Sequence, residues 1–295
     1  MLFAGLLAEI PYFGEVFEVS AAGCEIDWKN GAKKLPDTVP EFAAKDHHFT
    51  QKTIEYFKTL GGFREKDRVP AAGNLPSRKD SRDYATETRR LSISPLTGCL
   101  LYSFSQDDVD LTLAEAPTVE EAKELLKKLL ADLDIELALL DFNHVRYTSG
   151  THTRFDRSAG KAVMRRTDSG VFVPRLYAGQ PASKAGIEAT YGLNNELIGF
   201  SICWRDVRVS GQREIPSRAE IARLIVAGQA TAFMQNPIRP NRILIDRTLI
   251  QYDEAANFRV ATTVTPILFL SGIAEVDETK ENFSMYLALP KKAEE

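Results

Sequence analysis

The feature that most constrains this chain is an almost continuous series of β-rich runs between residues 136 and 209. The runs are LALLDFNHVRYTS, KAVMRR, GVFVPRLYA, AGIEATYG and ELIGFSICWRDVRVS. Asn194-Asn195 stands between two of them, where a hairpin turn requires residues that tolerate positive φ. Strands in series with short turns favour antiparallel pairing over alternating strand–helix–strand units. The sequence therefore predicts an antiparallel sheet in this region.

A helix with strong end signals precedes these runs at TVEEAKELLKKLLADLDI (118–135). Thr118 is placed to cap it, and Glu121 completes a capping box three residues later. Its apolar residues recur with a period of about 3.6, and its lysines fall between them. The pattern predicts an amphipathic helix that lays one apolar stripe on a sheet.

Two further segments predict helices of the same kind. In IPSRAEIARLIVAGQA (215–230), Ser217 is the cap and Gly228 is placed to end the helix. In FTQKTIEYFKTLGGF (49–63), Thr50 is the cap and a glycine pair closes the segment. We interpret all three helices as packing elements rather than carriers of chemistry.

Strands are also predicted outside the central series. RRLSISPLTGCLLYSF (89–104) indicates two strands around a Pro-Leu-Thr-Gly turn. Residues 242–252, 258–272 and 283–290 predict a closing three-stranded meander.

These elements together predict an α+β fold of antiparallel sheets, each packed by a single helix. The helix spacing gives repeated helix-plus-sheet modules of about 70 to 100 residues. We expect an N-terminal α+β module at 1–112 and a C-terminal region of two modules at 113–295. The boundary falls in 108–117, with 149–160 as the alternative.

Composition excludes several classes of function. The 295 residues carry 37 basic and 41 acidic side chains, a net charge of −4, and no long basic run, so we expect no nucleic-acid partner. The apolar run at residues 2–7 is too short to span a bilayer, and we expect it to pack into the fold or to be the end of a trimmed signal. Phosphate-loop, nucleophile-elbow and zinc-helix motifs are missing, and with four histidines we expect no metal and no cofactor.

Cys24, Cys99 and Cys203 are widely separated in the sequence and form no Cys-x-x-Cys pair. Their spacing excludes a zinc ribbon and a redox motif. We expect three buried thiols, with one disulfide plus one free thiol as the alternative.

The segment FNHVRYTSGTHTRFDRS (142–158) contains the strongest candidates for acid–base residues in the chain. If residues 147–151 make a turn, His144 and His152 approach each other across paired strands. His152, Arg154 and Asp156 share one strand face, and a histidine with a carboxylate is a workable acid–base pair. The alternative is a solvated, salt-bridged sheet face.

The run ICWRDVRV (202–209) offers candidate binding residues. As a strand it places Trp204 and Asp206 on one face and Arg205 on the other. An indole and a guanidinium can form a recognition surface, so we take Trp204, Arg205, Tyr177 and Arg154 as candidate binding residues. The alternative is a buried tryptophan with an Arg–Asp pair that braces neighbouring strands.

Several segments together resemble the tandem PepSY-like architecture of YycH/YycI-type extracytoplasmic regulators and related bacterial lipoproteins. They are VPEF before FTQKTIEYFKTLGGF, LSISPLTGCLLYSF, TVEEAKELLKKLLADLDI, VFVPRLYAGQ, YGLNNELIGFSICWRDV, IPSRAEIARLIVAGQA and TPILFLSG. The resemblance spans residues 36–290 in pattern more than in identities, and it implies that the helix-plus-sheet modules are of the PepSY or cystatin-like kind. It implies a protein that acts by binding, without catalytic residues, outside the cytoplasm. The sequence shows no lipobox, and a cytoplasmic location is the alternative.

Two functions follow from these observations. The first is a non-catalytic binding or regulatory protein that uses a sheet face or an inter-module groove to bind a protein partner or a small hydrophobic ligand. The second is a cofactor-independent enzyme, of the cyclase or isomerase type, that acts on a small organic molecule in an apolar cup. For the enzyme, one of His144, His152, Asp156 or Asp206 supplies the proton transfer.

Overall fold

The computed structural model of the chain describes residues 17–29, 35–70, 81–105, 114–156, 161–236, 238–254 and 263–289. The apolar run at 2–7 lies outside these residues. The three α-helices are α1 (Gln51–Gly61), α2 (Val119–Asp132) and α3 (Arg218–Val226). Within the described part, the strands are β1 (Phe17–Val19), β2 (Glu25–Trp28), β3 (Thr38–Lys45), β4 (Arg68–Val69), β5 (Arg82–Ala85), β6 (Arg89–Ser94), β7 (Cys99–Phe104), β8 (Arg146–Asp156), β9 (Lys161–Tyr177), β10 (Gln180–Tyr191), β11 (Leu197–Cys203), β12 (Asp206–Glu214), β13 (Ala230–Met234), β14 (Arg242–Glu254), β15 (Thr263–Val276) and β16 (Thr279–Ala288).

The described residues fall into two compact units. Unit 1 takes its residues from Met1–Ala43, Arg208–Asp253 and Thr263–Glu295, and unit 2 from Ala44–Val207 and Glu254–Thr262. The predicted boundary at 112/113 stays a prediction.

Unit 2 contains eight antiparallel strands in the order β8-β9-β10-β11-β7-β6-β5-β4. Strands β4 to β7 form one meander and strands β8 to β11 form another. The last strand of each meander pairs with the other, β7 with β11, in a register that sets Tyr102 opposite Phe200 and Leu100 opposite Ile202. The two meanders are therefore one continuous sheet.

Helices α1 and α2 lie on the same face of this sheet. Phe57 of α1 is fully buried, stacks on Phe200 with ring centroids 4.7 Å apart, and contacts Tyr102 at 5.6 Å. The pairing register continues from Phe200 to Ala189 and Val171, which share that face and are also fully buried. Helix α2 packs over β9 and β10 at this point with the buried side chains of Ala122, Leu126, Leu129 and Leu130.

The predicted helix ends are confirmed. The Thr118 hydroxyl accepts a hydrogen bond from the Glu121 amide, and the Glu121 carboxylate accepts one from the Thr118 amide. The Thr50 and Ser217 hydroxyls cap α1 and α3 by accepting hydrogen bonds from the amides of Thr53 and Glu220. Gly228 follows α3 with φ of 74°, a conformation that side chains with a Cβ disfavour.

Unit 1 contains the order β1-β13-β16-β15-β14, with α3 packed on its core. Strands β14, β15 and β16 are adjacent, which confirms the predicted closing meander. Strand β2 pairs in parallel with the start of β14, so this sheet is mixed. The core is aliphatic, with Ile221 and Ile225 of α3 set against residues such as Ile243, Leu268 and Met285.

The predicted fold class is wrong in its arrangement. The described chain is mostly mixed sheet with only three α-helices, and it does not repeat a helix-plus-sheet module. The modules were expected to carry separate sheets with one helix each, as the PepSY-like resemblance implies. Instead α1 and α2 share one sheet, because the β7–β11 pair gives both strands hydrogen-bonding partners that edge strands lack. Within the described residues, no helix is long and apolar enough to cross a membrane.

The Phe57 side chain is the main contact between α1 and the β7–β11 pair, so its loss leaves a cavity. We expect Phe57→Ala to lower the free energy of unfolding by about 3–5 kcal/mol. Leu139→Ala is the control, since Leu139 is 38% exposed and its truncation costs below about 1 kcal/mol. Urea unfolding monitored by circular dichroism measures both, and equal losses contradict this packing.

Candidate functional site

Helix α1 presents two stripes of side chains with different environments. Thr53, Phe57 and Gly61 point into the sheet and are buried. The adjacent stripe, at the helical spacing of three and four residues, lines an open groove of about 470 Å³. We call this the α1 groove, and its lining residues are Lys52, Glu55, Tyr56, Thr59 and Leu60.

The two charged residues of the α1 groove, Lys52 and Glu55, interact with neighbouring side chains. The Lys52 ammonium lies 2.6 Å from the carboxylate of Asp134, which follows α2. The Glu55 carboxylate accepts a hydrogen bond from Gln51 at 2.8 Å. These contacts leave Tyr56, Thr59 and Leu60 as the surface open to a ligand.

Tyr56 and two buried tyrosines of the sheet, Tyr102 and Tyr191, have raised pKa values. Burial raises the pKa of the Tyr56 hydroxyl, and the carboxylate of Asp132 raises it further. Burial also raises the pKa of Tyr102 and, most strongly, of Tyr191, and in both cases Tyr56 adds to the effect. Among the described residues, the Tyr191 hydroxyl is buried without a hydrogen-bond partner. All three phenols therefore remain neutral hydrogen-bond donors at physiological pH.

A second cluster surrounds Trp204 at the end of β11. The Arg175 guanidinium lies between two rings, 5.0 Å from the centroid of Trp204 and 4.7 Å from that of Tyr177. It donates a hydrogen bond of 2.6 Å to the carbonyl of Arg205. Trp204 is 5% exposed and Tyr177 is 2% exposed. These candidate binding residues are brought together, but their rings face the interior.

Arg205 and Asp206 attach the segment before α1 to this cluster. Arg205 is buried, donates to the carbonyl of Lys45, and forms an ion pair of 3.2 Å with Asp46. The exposed Asp206 carboxylate lies 2.9 Å from Nδ1 of His47. The predicted alternation through 202–209 is wrong, because β11 ends at Cys203 and β12 begins at Asp206. The break allows Trp204 and Arg205 both to be buried.

The predicted approach of His144 and His152 is also wrong. Residues 147–151 do not turn but belong to the single strand β8, which pairs with β9 along its length. His144 precedes β8, and His152 lies about 20 Å along the strand from its first residue, Arg146. His144 instead pairs with the buried carboxylate of Asp141 at 2.7 Å, and the exposed His152 stands opposite Arg165. The side chains of Arg154 and Asp156 lie outside the described part of the structure.

Sequence reasoning missed the α1 groove and both histidine–carboxylate pairs. The spacing of Asp141 and His144, three residues apart, is a local signal that could have been found. His47 and Asp206 are 159 residues apart, and only the folded chain brings them together. Across the described residues, no three His, Cys, Asp or Glu side chains form a group that could hold a metal ion.

Comparison with known proteins gives little beyond the geometry. No protein-family model matches the chain, and no curated protein is similar to it. Several solved structures are similar, among them that of an uncharacterized protein from Eubacterium rectale, which matches over 89% of this chain and 86% of its own length with 10% identity and a TM-score of 0.43.

Tyr191 and Tyr252, both buried, predict opposite effects of losing a hydroxyl. The Tyr191 hydroxyl has no partner among the described residues, so Tyr191→Phe removes a desolvation cost and should raise the free energy of unfolding by about 1–3 kcal/mol. The Tyr252 hydroxyl donates a 2.8 Å hydrogen bond to the carbonyl of Pro40, so Tyr252→Phe should lower it by about 0.5–1.5 kcal/mol. Chemical unfolding of both variants tests the assignment, and a loss of stability in Tyr191→Phe contradicts it.

Proposed function

We propose that the chain is a non-catalytic binding protein that holds a small, largely apolar molecule in the α1 groove. The observation that carries the proposal is the groove itself, about 470 Å³ and lined by one face of α1. Sites for small molecules combine apolar walls with a few polar groups, and this open groove would cover one side of a bound molecule. Tyr56, Thr59 and Leu60 supply this combination.

The size of the groove favours a small molecule over a protein partner. A stable protein interface buries about 1,200–2,000 Å² and involves about 20–30 residues on each side. Among the described residues, the groove is lined by five, all on α1. A small ligand can cover such a surface, whereas a protein partner requires contacts well beyond it.

The chemistry of the lining favours a ligand with a flat apolar body and a hydrogen-bond acceptor. The Tyr56 ring and the Leu60 side chain are half-buried. A flat ligand can therefore pack on the part of each side chain that is exposed to solvent. A tyrosine hydroxyl is protonated at neutral pH, so that of Tyr56 can donate to an acceptor on the ligand. The Thr59 hydroxyl offers a second donor.

The position of the acid–base candidates supports binding over the cyclase or isomerase alternative. Of the described residues, those that line the groove include the carboxylate of Glu55 and no histidine. His144 and Asp206 are paired at other places in unit 2, with Asp141 and His47. A regulatory role and an extracytoplasmic location rest on the PepSY-like resemblance alone and stay predictions.

The dye 8-anilinonaphthalene-1-sulfonate, an apolar aromatic probe, tests the groove. We expect the folded protein to bind it with a stoichiometry of one. Tyr56→Ala and Leu60→Glu should each weaken binding about tenfold or more, because a loss of 1.4 kcal/mol of contact energy corresponds to a factor of ten. Fluorescence titration measures the dissociation constants.

Leu139→Glu is the matched control, since it makes the same change at a partly exposed leucine outside the groove. Circular dichroism must show the same unfolding midpoint for all variants, because partly unfolded protein binds the dye without specificity. Equal affinities for the Leu60 and Leu139 variants, or no saturable binding, contradict the proposal.

A further inference from the structure

Cys99 and Cys203, which are 104 positions apart in the sequence, stand directly opposite each other in the β7–β11 pair. Cys99 begins β7, and Cys203 ends β11. Both are thiols in the structure, and both are half-buried rather than buried as the sequence analysis expected. Their side chains point away from the face covered by α1 and α2, because the alternate residues Leu100 and Ile202 point toward it.

The hydrogen-bond pattern places the two cysteines at the closer of the two cross-strand spacings. The Trp204 amide donates to the Gly98 carbonyl at 3.0 Å, while the Gly98 amide donates to the Pro95 carbonyl within the turn, so one hydrogen bond joins the strands just beyond the two cysteines. Pair types alternate along antiparallel strands, which makes Cys99 and Cys203 a non-hydrogen-bonded pair with Cα atoms about 4.5 Å apart. Disulfides span Cα distances of about 4.4–6.8 Å.

We propose that Cys99 and Cys203 are an oxidation site that forms a reversible disulfide across the β7–β11 pair. A cross-strand spacing of about 4.5 Å lies within the range for disulfides, and both cysteines are half-buried, so a small reductant can reach the bond. We therefore expect a disulfide that is readily reduced rather than a permanent structural one.

The third cysteine lies in an environment that opposes oxidation. Cys24 is 4% exposed, and its thiol donates a hydrogen bond of 2.9 Å to the carbonyl of Pro240. Burial raises the pKa of this thiol, which lowers the fraction of reactive thiolate. Cys24 therefore provides an internal control within the same chain.

The reaction needs an oxidant, which a small disulfide such as oxidised glutathione supplies. One cysteine thiolate attacks a glutathione sulfur, which forms a mixed disulfide and releases one glutathione thiol. The second cysteine thiolate then attacks the protein sulfur of the mixed disulfide and releases the second glutathione. The two cysteine protons and two electrons end on the two glutathione molecules.

Oxidation of the folded protein, followed by mass spectrometry, tests the site. The protein is incubated with oxidised glutathione, its remaining thiols are alkylated, and it is digested without reduction. We expect a peptide that links Cys99 to Cys203, an alkylated Cys24, and loss of the link after dithiothreitol. Cys24→Ser should form the link at the wild-type rate.

Two results overturn the proposal. One is that all three cysteines are alkylated after oxidation, which shows that neither strand-end thiol reacts. The other is that Cys99 and Cys203 each carry glutathione without forming the link, which shows that the cross-strand geometry does not allow the bond. Cys99→Ser and Cys203→Ser should each leave the other cysteine as a stable glutathione adduct, because the second thiol that would release the glutathione is gone.

Discussion

The antiparallel pairing of β7 with β11 is the contact on which the rest of unit 2 depends. Each strand is the last of a four-stranded meander, and each would be an exposed edge if the meanders stayed apart. Their pairing makes one eight-stranded sheet and creates a continuous apolar face across Leu100, Tyr102, Phe200 and Ile202. Phe57 packs on the middle of that face and so fixes the position of α1.

The proposed binding site follows from the way α1 is anchored. Since Phe57 and its stripe are committed to the sheet, the adjacent stripe with Tyr56 and Leu60 is left at the surface, where it lines the α1 groove. The same strand pair brings Cys99 and Cys203 together on the opposite face. The Trp204 cluster closes the end of the pair, and a Cβ at Gly98 would overlap the Trp204 carbonyl, so only glycine fits in that turn.

Local structure could be predicted from the sequence, and the assembly of the strands could not. The caps at Thr50, Thr118 and Ser217 involve residues three positions apart, and Asn194 and Asn195 adopt the positive φ that their residue type favours. Strand pairing has no such local code: β7 and β11 are about a hundred residues apart, and either could have remained an edge. The burial of both Trp204 and Arg205 could not be predicted either. Side chains alternate between the two faces only within a continuous strand, and the strand breaks at these two residues. The α1 groove depends on which stripe of α1 meets the sheet, and both stripes contain apolar residues.

Amide hydrogen exchange resolved by residue tests the β7–β11 pair most directly. In the register described, the amides of Leu100, Tyr102, Phe200 and Ile202 donate across this pair, while those of Leu101 and Ser201 donate to β6 and β10. The account predicts that all six exchange slowly and with similar protection, since they open only when the sheet unfolds. Fast exchange at the first four, with protection kept at Leu101 and Ser201, would show two separate meanders and contradict the single sheet.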